Sequence, residues 1–172
     1  KSCSTCQESR NNPIKTDLHP WEYPKSPWSR LHVDYAGQLF GKMYLIVVDA
    51  FSKWVEIAIA NTATSEATIE GLRNMFATHG VPDTLVSDNG SCFTSEQFAN
   101  FCRRNNITHI TSAPFHSASN GLAERAVQTF KAKLKCMQSG SLTTKISRIV
   151  LRQQPTPHST TGAPPCELLM AV

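Results

Sequence analysis

Hydrophobic and polar positions begin to alternate just after Trp28. In "RLHVDYA" (30–36), Leu31, Val33 and Tyr35 share one face, and His32, Asp34 and Ala36 the other. That period of two predicts a half-buried strand. "MYLIVVDAF" (43–51) is a continuous apolar run rich in Val and Ile, as expected of a strand covered on both sides. "WVEIAIA" (54–60) alternates again. Short gaps holding Gly41 or Ser52-Lys53 join the three runs and predict an antiparallel meander.

The period then becomes helical. In "TSEATIEGLRNMFATHG" (64–80), Ile69, Leu72 and Phe76 follow i, i+3, i+7, with Thr64 or Ser65 to cap and Gly80 and Pro82 to stop. Thr84-Leu85-Val86 predicts a short strand ending at Asp88. Asn89-Gly90 then predicts a tight turn, since both residues tolerate positive φ. Thr94 and Gln97 have the capping-box spacing for a helix through Phe98, Phe101 and Cys102. A strand "ITHITS" (107–112), a loop "APFHSASNG" (113–121) and a long helix through Leu122, Ala126, Val127, Phe130, Leu134 and Met137 follow. The order βββ-α-β-α-β-α predicts an α/β layer architecture, a mixed five-stranded sheet with helices on both faces. Residues 7–29 carry four prolines and no periodicity, which reads as a linker or extended arm.

Composition narrows the class. At 172 residues, 40% apolar and 17% charged, the chain can build a single hydrophobic core. It has no apolar run long enough to span a bilayer, and "KSC" at its start is no signal-peptide beginning, so an intracellular protein without membrane attachment is expected. The net charge of +4 mildly favours a polyanionic partner. Cys92, Cys102 and Cys136 fall in or beside apolar segments and read as small core residues. Cys3-x-x-Cys6 has the spacing of half a zinc site, with no second pair downstream and His19 isolated.

Candidate chemistry lies among the 13 acidic residues. Most sit in loops or first helical turns, where solvation or the helix dipole accounts for them. Asp49 is ambiguous, and Glu56 projects from the polar face of the third strand. Three stand apart. Asp34 is inside the first strand, Asp88 ends the fourth, and Glu124 lies in the first turn of the long helix, with 35 residues between it and Asp88. If the first and fourth strands are neighbours, these carboxylates converge and repel, which requires a divalent cation. Oxygen-only ligands select Mg²⁺ or Mn²⁺.

"HVDYAG", "VSDNGSCFTS" and "SASNGLAERAVQTFKAKLK", with "DAFSKWVEIA", "HGVPDTLVSDNG" and "PHSTTGAPPCELL" around them, resemble the catalytic core of retroviral and Gypsy-type retrotransposon integrases. The resemblance runs from about Cys3 to Leu169. It implies a ribonuclease H-like fold with Asp34, Asp88 and Glu124 as catalytic, metal-binding triad. Two Mg²⁺ or Mn²⁺ ions are implied, Asp34 bridging them, for 3′-end processing and strand transfer of DNA. It further implies that residues 1–12 are the remnant of a zinc-binding module, 13–27 a linker and 28–172 the core. Zinc would be held only in a longer parent protein, because the His pair that should precede Cys3 and Cys6 is absent. The loop lacks the Pro-Gln pair usual after its His but keeps Asn120 and Gly121, and "LRQQPTPHSTTG" departs from the usual Tyr-Arg-Asn-Thr-Pro run. Glu124, Gln128, Lys131 and Lys135 form one polar stripe on the long helix. Lys131 matches a position that touches DNA phosphate, and Gln128 stands where relatives often carry Lys. Asn120 and Phe115 are candidates to contact the DNA end, and His116 reads as a loop residue. Partners implied are retroelement ends, target DNA and further copies of the chain in a dimer or higher multimer, acting in the nucleus. Two rival readings keep the fold: a domesticated, non-catalytic binding or interaction module, and a ribonuclease H-like nuclease.

Overall fold

The meander forms as the alternation predicts. In the computed structural model, which describes residues 21–112 and 120–170, β1 (Arg30–Leu39), β2 (Lys42–Asp49) and β3 (Val55–Ala60) are antiparallel neighbours. β4 (Thr84–Ser87) then pairs parallel to β1, with His32 opposite Val86, and β5 (Thr108–Thr111) pairs parallel to β4. The sheet order is β3-β2-β1-β4-β5, so the first and fourth strands are indeed adjacent.

Each face of the sheet has its own core. Leu31, Val33, Leu45, Val47 and Leu85 pack beneath α1 (Ser65–His79), α2 (Ser91–Thr94) and α3 (Glu96–Arg104). On the opposite face Ala36, Tyr44, Ile46 and Val48 meet Val127, Phe130 and Leu134 of α4 (Gly121–Cys136) and Ile146 and Ile149 of α5 (Leu142–Gln153). The Tyr44 and Phe130 rings lie 5.0 Å apart across that interface. α6 (Pro165–Met170) reaches back to the first core through Cys166 and Leu169. The expected mixed sheet with helices on both faces is what the chain builds. Among the described residues no helix is long and apolar enough to cross a membrane.

Local signals were mostly obeyed. Thr64 caps α1 by accepting from Ala67 N, and Gly80 ends it at φ 92°, a conformation that favours glycine. Four expectations are corrected. The Asn89-Gly90 turn uses no positive φ, since Gly90 sits at φ −57° and ψ 144°. The cap of α3 is Ser95, whose hydroxyl accepts from Phe98 N, because the single turn of α2 intervenes and moves the start of α3 past Thr94. Cys136 is exposed: it is the last residue of α4, two positions beyond Leu134, the last of its buried stripe. The sequence pattern also missed α5, although Ser141 caps it by accepting from Thr144 N.

Candidate active site

Asp34 owes its direction to the pleat of β1. Leu31, Val33 and Tyr35 face the first core, so His32, Asp34 and Ala36 face α4. Asp34 is half-buried and its Oδ1 accepts the Tyr35 backbone N–H at 2.7 Å. Burial pushes its carboxyl up to about 6, and the charges of Asp88 and Glu124 push the same way, while the Tyr35 N–H and Lys131 pull it down. Three carboxylates and one lysine therefore share a single electrostatic neighbourhood.

Asp88 follows β4 directly, two residues beyond the Val86–His32 pair, as Asp34 is two beyond His32. Its Oδ1 accepts Gly90 N–H at 3.0 Å. A Cβ at Gly90 would stand 3.0 Å from that same oxygen, so glycine here leaves room for the Asp88 carboxylate rather than serving an unusual φ. Asn89 Nδ2 donates to Ser112 O at 2.7 Å and ties the turn to the residue after β5. Glu124 is half-buried in the first turn of α4, where its N–H donates to Asn120 O at 3.1 Å.

Of the proposed DNA contacts, Gln128 and Lys135 are exposed and Lys131 is half-buried, on the stripe running from Glu124. Asn120 is a correction. It is wholly buried, with its Oδ1 3.3 Å from His32 Nδ1 and its Nδ2 donating to Val33 O at 3.0 Å. Its amide is committed inside the fold and is not presented to a DNA end. Phe115, His116, Cys3 and Cys6 lie outside the described residues, as do most of the linker and the whole of segment 1–12.

Several other groups take on roles that the sequence left open. Asp49 is fully buried and holds the β2–β3 turn by accepting from Phe51 N, Ser52 N and Ser52 Oγ. Glu56 Oε1 lies 2.9 Å from both His79 Nε2 and Trp54 Nε1. His32, unassigned by sequence reasoning, is buried with its imidazole held down at about 4, chiefly by desolvation and then by Arg30. Its signal was available, since it shares the Asp34 face of β1.

Hard oxygen donors carrying negative charge that Lys131 offsets only partly match the chemistry of Mg²⁺ or Mn²⁺. Among the described residues, no three His, Cys, Asp or Glu side chains are gathered so as to hold one ion. The carboxylates share a field without yet sharing a coordination sphere.

The description "Integrase core domain" matches residues 24–117. The uncharacterized protein K02A2.6 of Caenorhabditis elegans is 39% identical over 170 residues, covering 97% of this chain and 13% of that protein. The transposon Tf2-3 polyprotein of Schizosaccharomyces pombe is 31% identical over 184 residues, covering 98% of this chain and 14% of the polyprotein. The chain thus spans only a small part of these relatives. Among solved structures, a simian T-cell lymphotropic virus intasome in complex with PP2A regulatory subunit B56 gamma superposes with TM-score 0.80 at 21% identity, over 97% of this chain and 63% of that one. The HTLV-2 integrase catalytic core domain in complex with magnesium, in its trimeric form, gives TM-score 0.71 at 22% identity over 84% and 98%. At those identities the likeness carries the fold, which is ribonuclease H-like.

Proposed function

Since the chain belongs to the integrase core domain family, we propose that it is the catalytic core of a retroelement integrase, performing metal-dependent phosphoryl transfer on DNA ends. The observation that carries this reading is the electrostatic convergence on Asp34: strand pairing brings Asp88 to it and the first turn of α4 brings Glu124.

In this reading Asp34, Asp88 and Glu124 hold the divalent ions. When bound, Mg²⁺ or Mn²⁺ supplies Lewis-acid polarisation of the phosphate and a lowered pKa at the attacking oxygen. The protein's own share is positioning and charge. Asp34 is fixed by a central strand and by the Tyr35 N–H, and Asp88 by the Gly90 N–H. Lys131, close enough to lower the Asp34 carboxyl, supplies positive charge beside the phosphate. The nucleophile is water for trimming a 3′ end and the freed 3′-hydroxyl for joining. The HTLV-2 core is described in trimeric and dimeric forms, which supports assembly of this chain into multimers.

The test is oligonucleotide joining with Mn²⁺. Asp34→Asn, Asp88→Asn and Glu124→Gln should each abolish it while the fold persists; joining by Asp88→Asn at the parent's rate would sink the assignment. A second reading, a domesticated module without catalysis, keeps the same fold and would bind no Mn²⁺. Mn²⁺ titration separates the two, because a catalytic core gains thermal stability with Mn²⁺ and a dead module does not.

A further inference from the structure

The flank of α4 turned away from the carboxylates carries its own charge. Arg125, Thr129 and Lys133 form a stripe at i, i+4 and i+8, roughly 100–180° around the helix from Glu124. This stripe forms one wall of a cleft of about 710 Å³. Lys53 from the β2–β3 turn, Arg152 near the end of α5 and His158 from the following segment enclose it. No Asp or Glu lines the cleft. None of its four Lys and Arg side chains has a carboxylate partner, since the one ion pair among the described residues is His79–Glu56. Lys53 has the charge of buried Asp49 near it, but the other three have none, Arg152 already acts on Lys133 as a like charge, and an anion in the hollow relieves that repulsion.

The cleft runs on into a smaller hollow of about 170 Å³ that shares Lys53, Leu122 and Arg125 with it. Here the lining turns aromatic. Trp21 and Tyr23 are 37% and 54% exposed, with the Arg30 guanidinium 4.8 Å from the Trp21 ring centroid and Lys53 Nζ 5.3 Å from that of Tyr23. Cations continuous with exposed aromatic rings are what a strand with unpaired bases needs: charge tracks its backbone, and a ring stacks on a base. A double helix buries its base faces and gains nothing from the rings.

We propose that this flank is a binding groove for single-stranded nucleic acid, separate from the carboxylate site. Phosphates lie against Lys53, Arg125, Lys133 and Arg152, and an unpaired base rests on the Trp21–Tyr23 surface. The groove requires no divalent ion, so it can be tested in EDTA, where joining is silent; failure of the groove and failure of the catalytic reading are therefore separate results.

The full 172-residue chain is titrated with a dT strand of about 15 nucleotides at several NaCl concentrations, read by anisotropy of an end label and, with unlabelled strand, by tryptophan fluorescence. Trp28 and Trp54 are buried, at 6% and 5% exposure, so quenching reports Trp21. Lys133→Ala with Arg152→Ala removes two cations from exposed positions and should lower the salt slope by about 1.4 with little change in thermal unfolding. Lys133→Arg should restore the slope lost at that position. Trp21→Leu should abolish quenching and weaken binding roughly tenfold. Should the double variant aggregate, Arg125→Ala with Lys133→Ala on the exposed helix face carries the same expectation. The parent slope and affinity retained in these variants would overturn the groove. So would a blunt duplex competing as well as the single strand at equal nucleotide concentration.

Discussion

Asn120 and His32, 88 residues apart in sequence, meet in the interior with Oδ1 and Nδ1 3.3 Å apart. Asn120 gives its NH₂ to the Val33 carbonyl, so its Oδ1 must accept, and His32 carries its proton on Nδ1. The pair fastens β1, on the residues just before Asp34, to the residue that opens α4, and so sets the spacing between Asp34 and Glu124. Asn120→Ala leaves a buried carbonyl and a buried imidazole N–H without partners, a loss of about 1–3 kcal/mol. Thermal unfolding should fall by several degrees. An unchanged melting temperature, with only DNA binding affected, would return Asn120 to the role of a surface contact.

The pH dependence of stability carries opposite signs at neighbouring residues of β1. His32 is held at about 4, below its ordinary 6.5, so its contribution is complete above pH 6.5 and is lost as pH falls towards 4. Asp34 is raised to about 6 from 3.8, so the folded chain binds the extra proton between those values. Its ionised form therefore destabilises the fold above pH 6, and that penalty is gone below pH 3.8. Asp34→Asn should stabilise the protein at pH 7 by on the order of 1 kcal/mol, once solvent screening is allowed for, and hardly at all near pH 4. Calorimetric scans at both pH values check this, and an equal gain at each would contradict it. Mn²⁺ should erase the difference at pH 7 by neutralising the same charge.

What the sequence disclosed and what it hid divide by range. The faces of β1 were legible because a period of two needs only neighbouring residues, and that alone turned Asp34 towards α4. The adjacency of β1 and β4 could be posed only as a condition, because a parallel pairing leaves no local mark. Asn120 shows the limit more sharply. Its place beside the site was readable, but its burial depends on the Val33 carbonyl and His32, both 87 or more residues away. The groove behind α4 was hidden for the same reason: Lys53, Arg125 and Arg152 come from three separate elements, and nothing local in the sequence joins them to Lys133.

Gly90 offers a test of how tightly Asp88 is placed. Its backbone lies at φ −57°, which alanine adopts without strain. The added Cβ would stand 3.0 Å from Asp88 Oδ1 and only 3.5 Å or more from Phe93 and Cys92. The carboxylate, as the free end of a side chain, is what moves. Gly90→Ala should therefore unfold within about 1 kcal/mol of the parent yet join DNA at least tenfold more slowly, with a higher Mn²⁺ requirement. A comparable loss of stability and activity would place the effect in the fold and not in the carboxylate.

Lys131 sits two turns beyond Glu124 on the stripe that faces the carboxylates, near enough to lower the Asp34 carboxyl. A lysine there can neutralise a phosphate next to the scissile bond, which adds affinity without sequence preference. Lys131→Ala should weaken duplex binding similarly for any sequence and lower its salt slope by about 1. It should also raise the Asp34 carboxyl further, moving the acid limb of the pH–rate profile upward, an effect that no plain surface lysine would have. Arg103, exposed on α3 with its guanidinium donating to Asn100 Oδ1, is the control, and its alanine variant should leave both slope and profile as they are. If Lys131→Ala behaves like the Arg103 variant, the stripe is a solvated helix face and the DNA duplex lies elsewhere.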